Sequence, residues 1–179
     1  PTLEKMGKDI EVLPWLEEFR GTIVSPFSNK DRVSWDLPPH MWCNDDRYYH
    51  IETCYDTELM QTGNAKEIYK ETADGIDALL ARYGWTREGR AYKGGEDKTI
   101  ALFCHFGLGI AAFSCLVGIS PVVAQNNFFL SPTSVTTLVT ETDSEGYSHF
   151  RATGVGDISH LYADDEPMSE SGLYPKFDK

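Results

Sequence analysis

The clearest periodic pattern in the chain runs from Asn64 to Tyr83. Apolar side chains recur there every three or four residues, which is the spacing that places them on one face of an α-helix. Asn64 with Glu67 three residues later is typical of a capping box, and Gly84 supplies a stop. The pattern therefore predicts a helix over 64–83, with a buried face of Ile68, Thr72, Ile76, Leu79, Leu80 and Tyr83.

A different pattern occupies Thr99-Ile-Ala-Leu-Phe-Cys104, a short apolar run without alternation. Such a run is typical of a strand that is buried on both faces in a parallel sheet. His105-Phe-Gly-Leu-Gly then opens a predicted helix that continues to about Val117 and is stopped by Gly118 and Pro121. With a further short strand predicted over Ile10–Pro14, the expected fold class is α/β, with a mostly parallel sheet flanked by helices.

Two further regions complete this prediction. β-branched residues over Val135–Glu141 and the segment Tyr147–Ala152 predict a C-terminal β-hairpin, joined by Asp143-Ser-Glu-Gly146. Residues 22–61 lack sustained periodicity but are rich in proline and aromatic residues, so we expect an ordered insertion with short helices that packs over the domain as a cap. Residues 163–179 are polar and acidic and are expected to form a loosely held tail.

The composition limits the classes of protein to which the chain can belong. The chain has 179 residues, 41% of them hydrophobic, which suits one domain with a sizeable core. Its net charge of −12 argues against nucleic-acid binding. No apolar stretch approaches the length of about 20 residues that spans a bilayer, and the first residues do not resemble a signal peptide, so a cytoplasmic protein without a membrane partner is expected.

The cysteines also favour a cytoplasmic protein. Four are present, without a CxxC pair or a spacing typical of zinc sites, so reduced thiols are expected and neither a metal nor a cofactor is implied.

The predicted chemistry centres on His105. Ligands of open parallel sheets bind at the carboxyl ends of strands, and a helix that starts there offers unpaired N–H groups to an anion. Gly107 and Gly109 would allow a ligand to approach the backbone closely. The alternative is that His105 is a helix N-cap or a satisfied, half-buried histidine.

The same residues resemble a known family. Thr99 to Pro121 resembles the second signature of the histidine phosphatase superfamily, also called phosphoglycerate-mutase-like: a buried strand, a histidine, small residues and a helix. Two later segments resemble the parts that follow it in the family, and an upstream segment resembles the stretch that carries the family's acid. These are Ser131-Pro-Thr-Ser-Val-Thr-Thr-Leu138, Gly156-Asp-Ile-Ser-His-Leu161 and Val12-Leu-Pro-Trp-Leu-Glu-Glu-Phe-Arg-Gly21.

The resemblance implies a phosphomonoester hydrolase with a phosphohistidine intermediate, a phosphorylated small molecule or inorganic phosphate as ligand, and no cofactor. His105 matches the second histidine, which holds the transferred phosphoryl group together with the backbone of Phe106 and Gly107. Glu18 matches the proton donor, with Glu17 as its competitor. His160 matches a structural position. The domain would cover 1–162, with 22–61 as its cap.

One part of the family pattern is absent. No histidine here is preceded by Arg and followed by Gly, so the nucleophile motif is missing, as is the Ser-Pro-x-x-Arg-Ala segment whose arginine holds the phosphate. The sequence thus resembles a family member lacking its first 50–60 residues or so, judged from ordinary element lengths. We therefore expect no turnover by the chain alone.

Two alternatives stay open: a non-catalytic relative that binds an anion or a protein, and an unrelated hydrolase that uses Cys104 or a His/Asp metal site. Because the Thr99–Cys104 strand would lack its neighbour in the family's sheet, we expect the chain to pair with a second copy as a homo-oligomer, to rearrange its strands or to need the missing segment.

Overall fold

The computed structural model describes residue 7, residues 10–35 and residues 37–172. Its α-helices are α1 (Ala65–Ala81), α2 (Phe106–Val117), α3 (Pro121–Asn127) and α4 (Ser159–Ala163). The strands are β1 (Thr22–Val24), β2 (Asp31–Val33), β3 (Trp85–Glu88), β4 (Ala91–Gly94), β5 (Val135–Thr142) and β6 (Tyr147–Asp157). Strands β1 and β2 pair with each other, and the others form a four-stranded sheet in the order β3-β4-β6-β5. Every strand pair is antiparallel.

Helix α1 confirms the prediction for 64–83 to within a turn. It buries Thr72, Ile76, Leu79 and Leu80, the face that the periodicity had indicated. Gly84 follows the helix with φ of 80°, a left-handed conformation that favours glycine and turns the chain into β3. The buried face of α1 packs with Trp85 and Tyr92 of the sheet, so local sequence and tertiary packing agree here.

The C-terminal hairpin is also observed. The side chain of Asp143 accepts hydrogen bonds from the backbone N–H groups of Glu145 and Tyr147, both at 2.9 Å, and Gly146 takes φ of 82°. These contacts close the turn between β5 and β6. Strand β6 continues to Asp157, beyond the predicted end at Ala152.

The predicted mostly parallel sheet is wrong. Thr99–Cys104 has no regular secondary structure and lies outside both sheets, and Leu102 and Phe103 are 37% and 59% exposed. A strand buried on both faces needs partners for its backbone groups, and no described strand pairs with it. The strand predicted over Ile10–Pro14 is wrong as well, because Ile10 and Val12 are exposed and a 3-10 helix begins at Pro14.

The segment 22–61 is ordered and contains short 3-10 helices, which agrees with that part of the interpretation. Two of these helices, Pro39–Met41 and Asp46–Tyr49, lie within the segment, and a third, Met60–Thr62, begins at its end. Its aromatic side chains are used mainly for core packing: Trp42, Tyr48 and Tyr55 are buried with Met60 of the same segment and with Val122 of α3.

Two further predictions concern the end of the chain and membranes. Residues 163–172 are exposed, and the remainder of the predicted tail, 173–179, lies outside the described residues. Among the helices that the structure describes, none is both long and apolar enough to cross a membrane.

Candidate active site

The candidate site is the start of helix α2. His105 is the N-cap residue, in extended conformation with φ of −103° and ψ of 169°, and its side chain is exposed and does not cap the helix. Its carbonyl oxygen accepts the first helical hydrogen bond, from the N–H of Gly109 at 2.9 Å. The N–H groups of Phe106, Gly107 and Leu108 therefore need acceptors from outside the helix.

Glu18 supplies one of these acceptors. Its Oε1 accepts hydrogen bonds from the N–H of Leu108 at 3.1 Å and from its own neighbour Phe19 at 2.6 Å. Phe19 is buried and anchors this part of the chain, since it packs with Trp35, Leu108 and Ala111. A carboxylate at this position is favoured both by the free N–H group and by the positive end of the helix dipole.

The structure separates the two candidate acids. Glu18 turns towards α2, whereas the exposed Glu17 forms a surface ion pair with Arg20 at 3.0 Å. The fold thus brings Glu18 to the helix that starts after His105, although Glu18 and Leu108 are 90 positions apart in the sequence. Glu17 does not contribute to this arrangement.

Gly107 has a different structural role from the expected one. A Cβ atom at this position would lie 2.8 Å from Cη2 of Trp35 and 2.9 Å from Oε1 of Glu18. The space beside Gly107 is therefore filled by Trp35 and Glu18, and it leaves no room for a ligand. Phe106 packs edge-on against Trp35, with ring centroids 6.3 Å apart. Sequence reasoning missed Trp35, and its place in an aromatic, proline-containing insertion was the only available signal.

A ligand could reach the site only from its solvent-exposed surface. The cavity next to Glu18, lined by Glu71 and Thr72 among others, has a volume of about 30 Å³. This is room for about one water molecule, so a phosphomonoester does not fit there. An anion would instead approach from solvent, at the exposed imidazole of His105 and the half-buried Phe106. The N–H groups of Phe106 and of the buried Gly107 have no acceptor in the described part of the chain.

Cys104 is a poor nucleophile. Desolvation raises the pKa of its thiol, and the negative charge of Glu18 raises it further. The sulfur lies 3.6 Å from a Cβ position at Gly109, which shows that the thiol packs against α2 although the residue as a whole is exposed. A raised thiol pKa lowers the fraction of reactive thiolate near neutral pH.

The other histidines lie on other parts of the fold. His149 lies 3.6 Å from Glu141 on the β5–β6 hairpin, and the ring of His40 packs against Phe27. His160 lies in α4, and Asp157, two residues before that helix, accepts a hydrogen bond from the N–H of Ser159 at 2.6 Å. Within the described residues, no group of three or more His, Cys, Asp and Glu side chains could hold a metal ion.

A second polar cluster lies among α1, β3, β4 and α2. Nε of Arg87 donates to both carboxylate oxygens of Asp77, at 2.9 and 2.7 Å, and the hydroxyl of Tyr92 donates to Oδ1 of Asp77 at 2.7 Å. Arg87 also donates to the sulfur of Cys115 at 3.1 Å. Burial raises the pKa of both the Tyr92 hydroxyl and the Cys115 thiol, so both stay protonated. This cluster ties four elements together, and no pattern in the sequence indicated it.

Comparison with known proteins adds no relative. No protein-family model matches the chain, and neither a curated protein nor a solved structure matches it significantly.

Proposed function

We propose that the chain carries part of a phosphomonoester-hydrolase site of the histidine phosphatase type. One observation carries the proposal: the carboxylate of Glu18 lies on the start of the helix that His105 precedes. These are the two residues that the resemblance assigns to phosphoryl binding and proton donation. The order of the motifs that resemble the family supports the proposal. The sheet does not, because its strands pair antiparallel whereas a mostly parallel sheet was expected.

Each residue would have a distinct part in the reaction. His105 and the N–H groups of Phe106 and Gly107 would donate hydrogen bonds to the phosphoryl oxygens. The resemblance makes Glu18 the proton donor. Since its carboxylate accepts two backbone hydrogen bonds here, Glu18 would have to take up a proton before donating it to the ester oxygen as the bond between phosphorus and that oxygen breaks. The histidine that attacks phosphorus is not among the 179 residues, because no Arg-His-Gly occurs in the sequence. The chain by itself therefore binds an anion and does not turn over an ester.

A second candidate function is that of a non-catalytic relative of the same family, and one observation favours it. Glu18 already satisfies the N–H of Leu108, as a purely structural cap of α2 would do. Under this alternative, Glu18 stabilises the helix and takes no part in ligand binding.

A titration with inorganic phosphate tests the proposal. We expect the backbone amide NMR signals of Phe106 and Gly107 to shift, with weak affinity, and His105→Ala to abolish the shifts. His149→Ala is the matched control, since it removes an exposed histidine from the hairpin. Phosphate that perturbs no signal near His105 would refute the site. Metal-independent hydrolysis of p-nitrophenyl phosphate that is lost in His105→Ala would show that the nucleophile lies within this chain.

Substitution of the two acids tests whether Glu18 lies next to the bound phosphate. Glu18→Gln removes a negative charge next to the bound phosphate, so the affinity for phosphate should rise about tenfold, since nearby like charges repel by about 1–4 kcal/mol. Glu17→Gln should leave the affinity unchanged, because Glu17 is exposed and paired with Arg20. Equal affinities in both variants would show that the bound phosphate does not lie next to Glu18, which would refute the proton-donor role.

A further inference from the structure

The four-stranded sheet has two edges of different character. Strand β3 forms one edge and strand β5 the other. β3 has four residues, two of them charged, Arg87 and Glu88. β5 has eight residues from Val135 to Thr142, and it pairs only with β6 among the described strands.

Natural sheets protect their edges with short strands, lysine, proline or bulges, because an unprotected edge pairs with other chains. The β3 edge is short and charged, as this rule expects. The β5 edge has fewer of these devices: its sequence contains no proline, lysine or arginine, and its one charged residue is Glu141. The register shifts of the hairpin place their extra residues on β6, since Val135 pairs with Asp157 whereas Leu138 pairs with Ala152. β5 therefore carries no inserted residue, although the irregular pairing lies beside its first four residues.

Charge makes this edge unusual on an acidic protein. The chain carries a net charge of −12, so most of its surface repels a second copy. Residues 135–140 are uncharged, and the following Glu141 is paired with Arg151 at 2.7 Å. Exposed apolar side chains also lie along the strand, at Val135 and Val139. The β5 edge can therefore approach its own copy without placing unpaired carboxylates together.

We propose that β5 is a homodimer interface, in which the β5 edges of two copies pair antiparallel about a two-fold axis and join the two sheets into one. An antiparallel edge is self-complementary under this symmetry. In one possible register, Leu138 of one copy lies opposite Leu138 of the other. The core-facing sides of the two sheets then lie on the same side of the combined sheet. This register places Glu141 of each copy opposite Val135 of the other, and Thr137 opposite Val139. This interface is independent of the proposed function, since it does not involve the start of α2.

Hydrogen exchange at two protein concentrations tests the interface. We expect the β5 amides to gain protection between low and high micromolar concentration, while the β3 amides, at the opposite edge, do not change. Light scattering after size-exclusion chromatography should show a dimer at the higher concentration. A monomer at that concentration, or protection gained outside β5, overturns the proposal.

A matched pair of variants locates the contact. Thr137→Glu and Thr86→Glu make the same change at exposed positions on the two edges. In the dimer the two new carboxylates at position 137 lie diagonally, about 7–8 Å apart, so dimerisation should weaken about tenfold or more. Thr86→Glu should not affect dimerisation, since the new carboxylate would lie opposite Lys93 within its own sheet. Circular dichroism establishes that both variants fold, and a Thr137→Glu variant that dimerises as tightly as the Thr86→Glu variant refutes the interface.

Discussion

Gly107→Ala tests the geometry of the candidate site most directly. The new Cβ would lie 2.8 Å from Cη2 of Trp35 and 2.9 Å from Oε1 of Glu18. The carboxylate can rotate away, but the Trp35 ring is held between Phe19 and Phe106, with centroid distances of 5.9 and 6.3 Å. The substitution therefore forces either the ring or the start of α2 to move.

Two opposing effects set the size of the change. Alanine is preferred over glycine in a helix by about 1 kcal/mol, which would stabilise the variant. Inserting a methyl group into a packed site costs about 1–3 kcal/mol. Displacing Glu18 also weakens its hydrogen bond to Leu108, and hydrogen bonds to charged groups contribute about 1.5–3 kcal/mol. The packing and hydrogen-bond losses outweigh the helix preference, so we expect a net destabilisation of about 1–2 kcal/mol.

Gly109→Ala is the matched control on the same helix. A Cβ atom there would lie 3.6 Å from the sulfur of Cys104 and 3.8 Å from Cδ1 of Leu130, which are ordinary van der Waals distances. Only the helix preference remains, so this variant should be more stable than the parent by about 0.5–1 kcal/mol. The two substitutions are chemically identical, yet their expected effects have opposite signs.

Urea unfolding followed by tryptophan fluorescence measures both variants. The free energy of unfolding should fall for Gly107→Ala and rise for Gly109→Ala, with unchanged denaturant slopes. Hydrogen exchange of the Leu108 amide provides a local measurement and should become faster in Gly107→Ala only. If both variants gain stability, Trp35 and Glu18 do not lie against Gly107, and the described site is wrong.

Two further predictions concern the polar cluster and Cys104. Asp77→Asn removes the charge that binds Arg87, in a pair whose side chains are only 33% and 25% exposed, so unfolding free energy should fall by about 2 kcal/mol. Asp74→Asn breaks an exposed pair with Lys70 and should change it by about 0.5 kcal/mol or less, so equal losses in a urea titration would contradict the cluster. Because the pKa of Cys104 is raised, less of its thiol is ionised near pH 8 than in a model peptide, and alkylation by iodoacetamide should be slower and rise only at higher pH. Mass spectrometry measures the alkylation rate. Glu18→Gln should increase this rate by lowering the thiol pKa. A rate equal to that of the model peptide would show that the Cys104 thiol is not desolvated.

Elements whose formation depends on neighbouring residues could be predicted from the sequence. Helix α1 follows from apolar spacing and from Gly84, and the β5–β6 hairpin follows from β-branched residues and from the turn at Asp143. The start of α2 directly after His105 belongs to the same group. Helical hydrogen bonds and tight turns close within a few residues, so the information needed to predict them is local.

Features that depend on contacts between distant segments could not be predicted in this way. An apolar run such as Thr99–Cys104 becomes a strand only where another strand pairs with it, and its composition does not show whether one does. Glu17 and Glu18 are equivalent in sequence, yet only Glu18 reaches α2. Trp35 comes to lie against Gly107 from a segment without periodicity. In each case the deciding contact joins residues far apart in the chain, and its position is set by how the packed elements meet rather than by any local pattern.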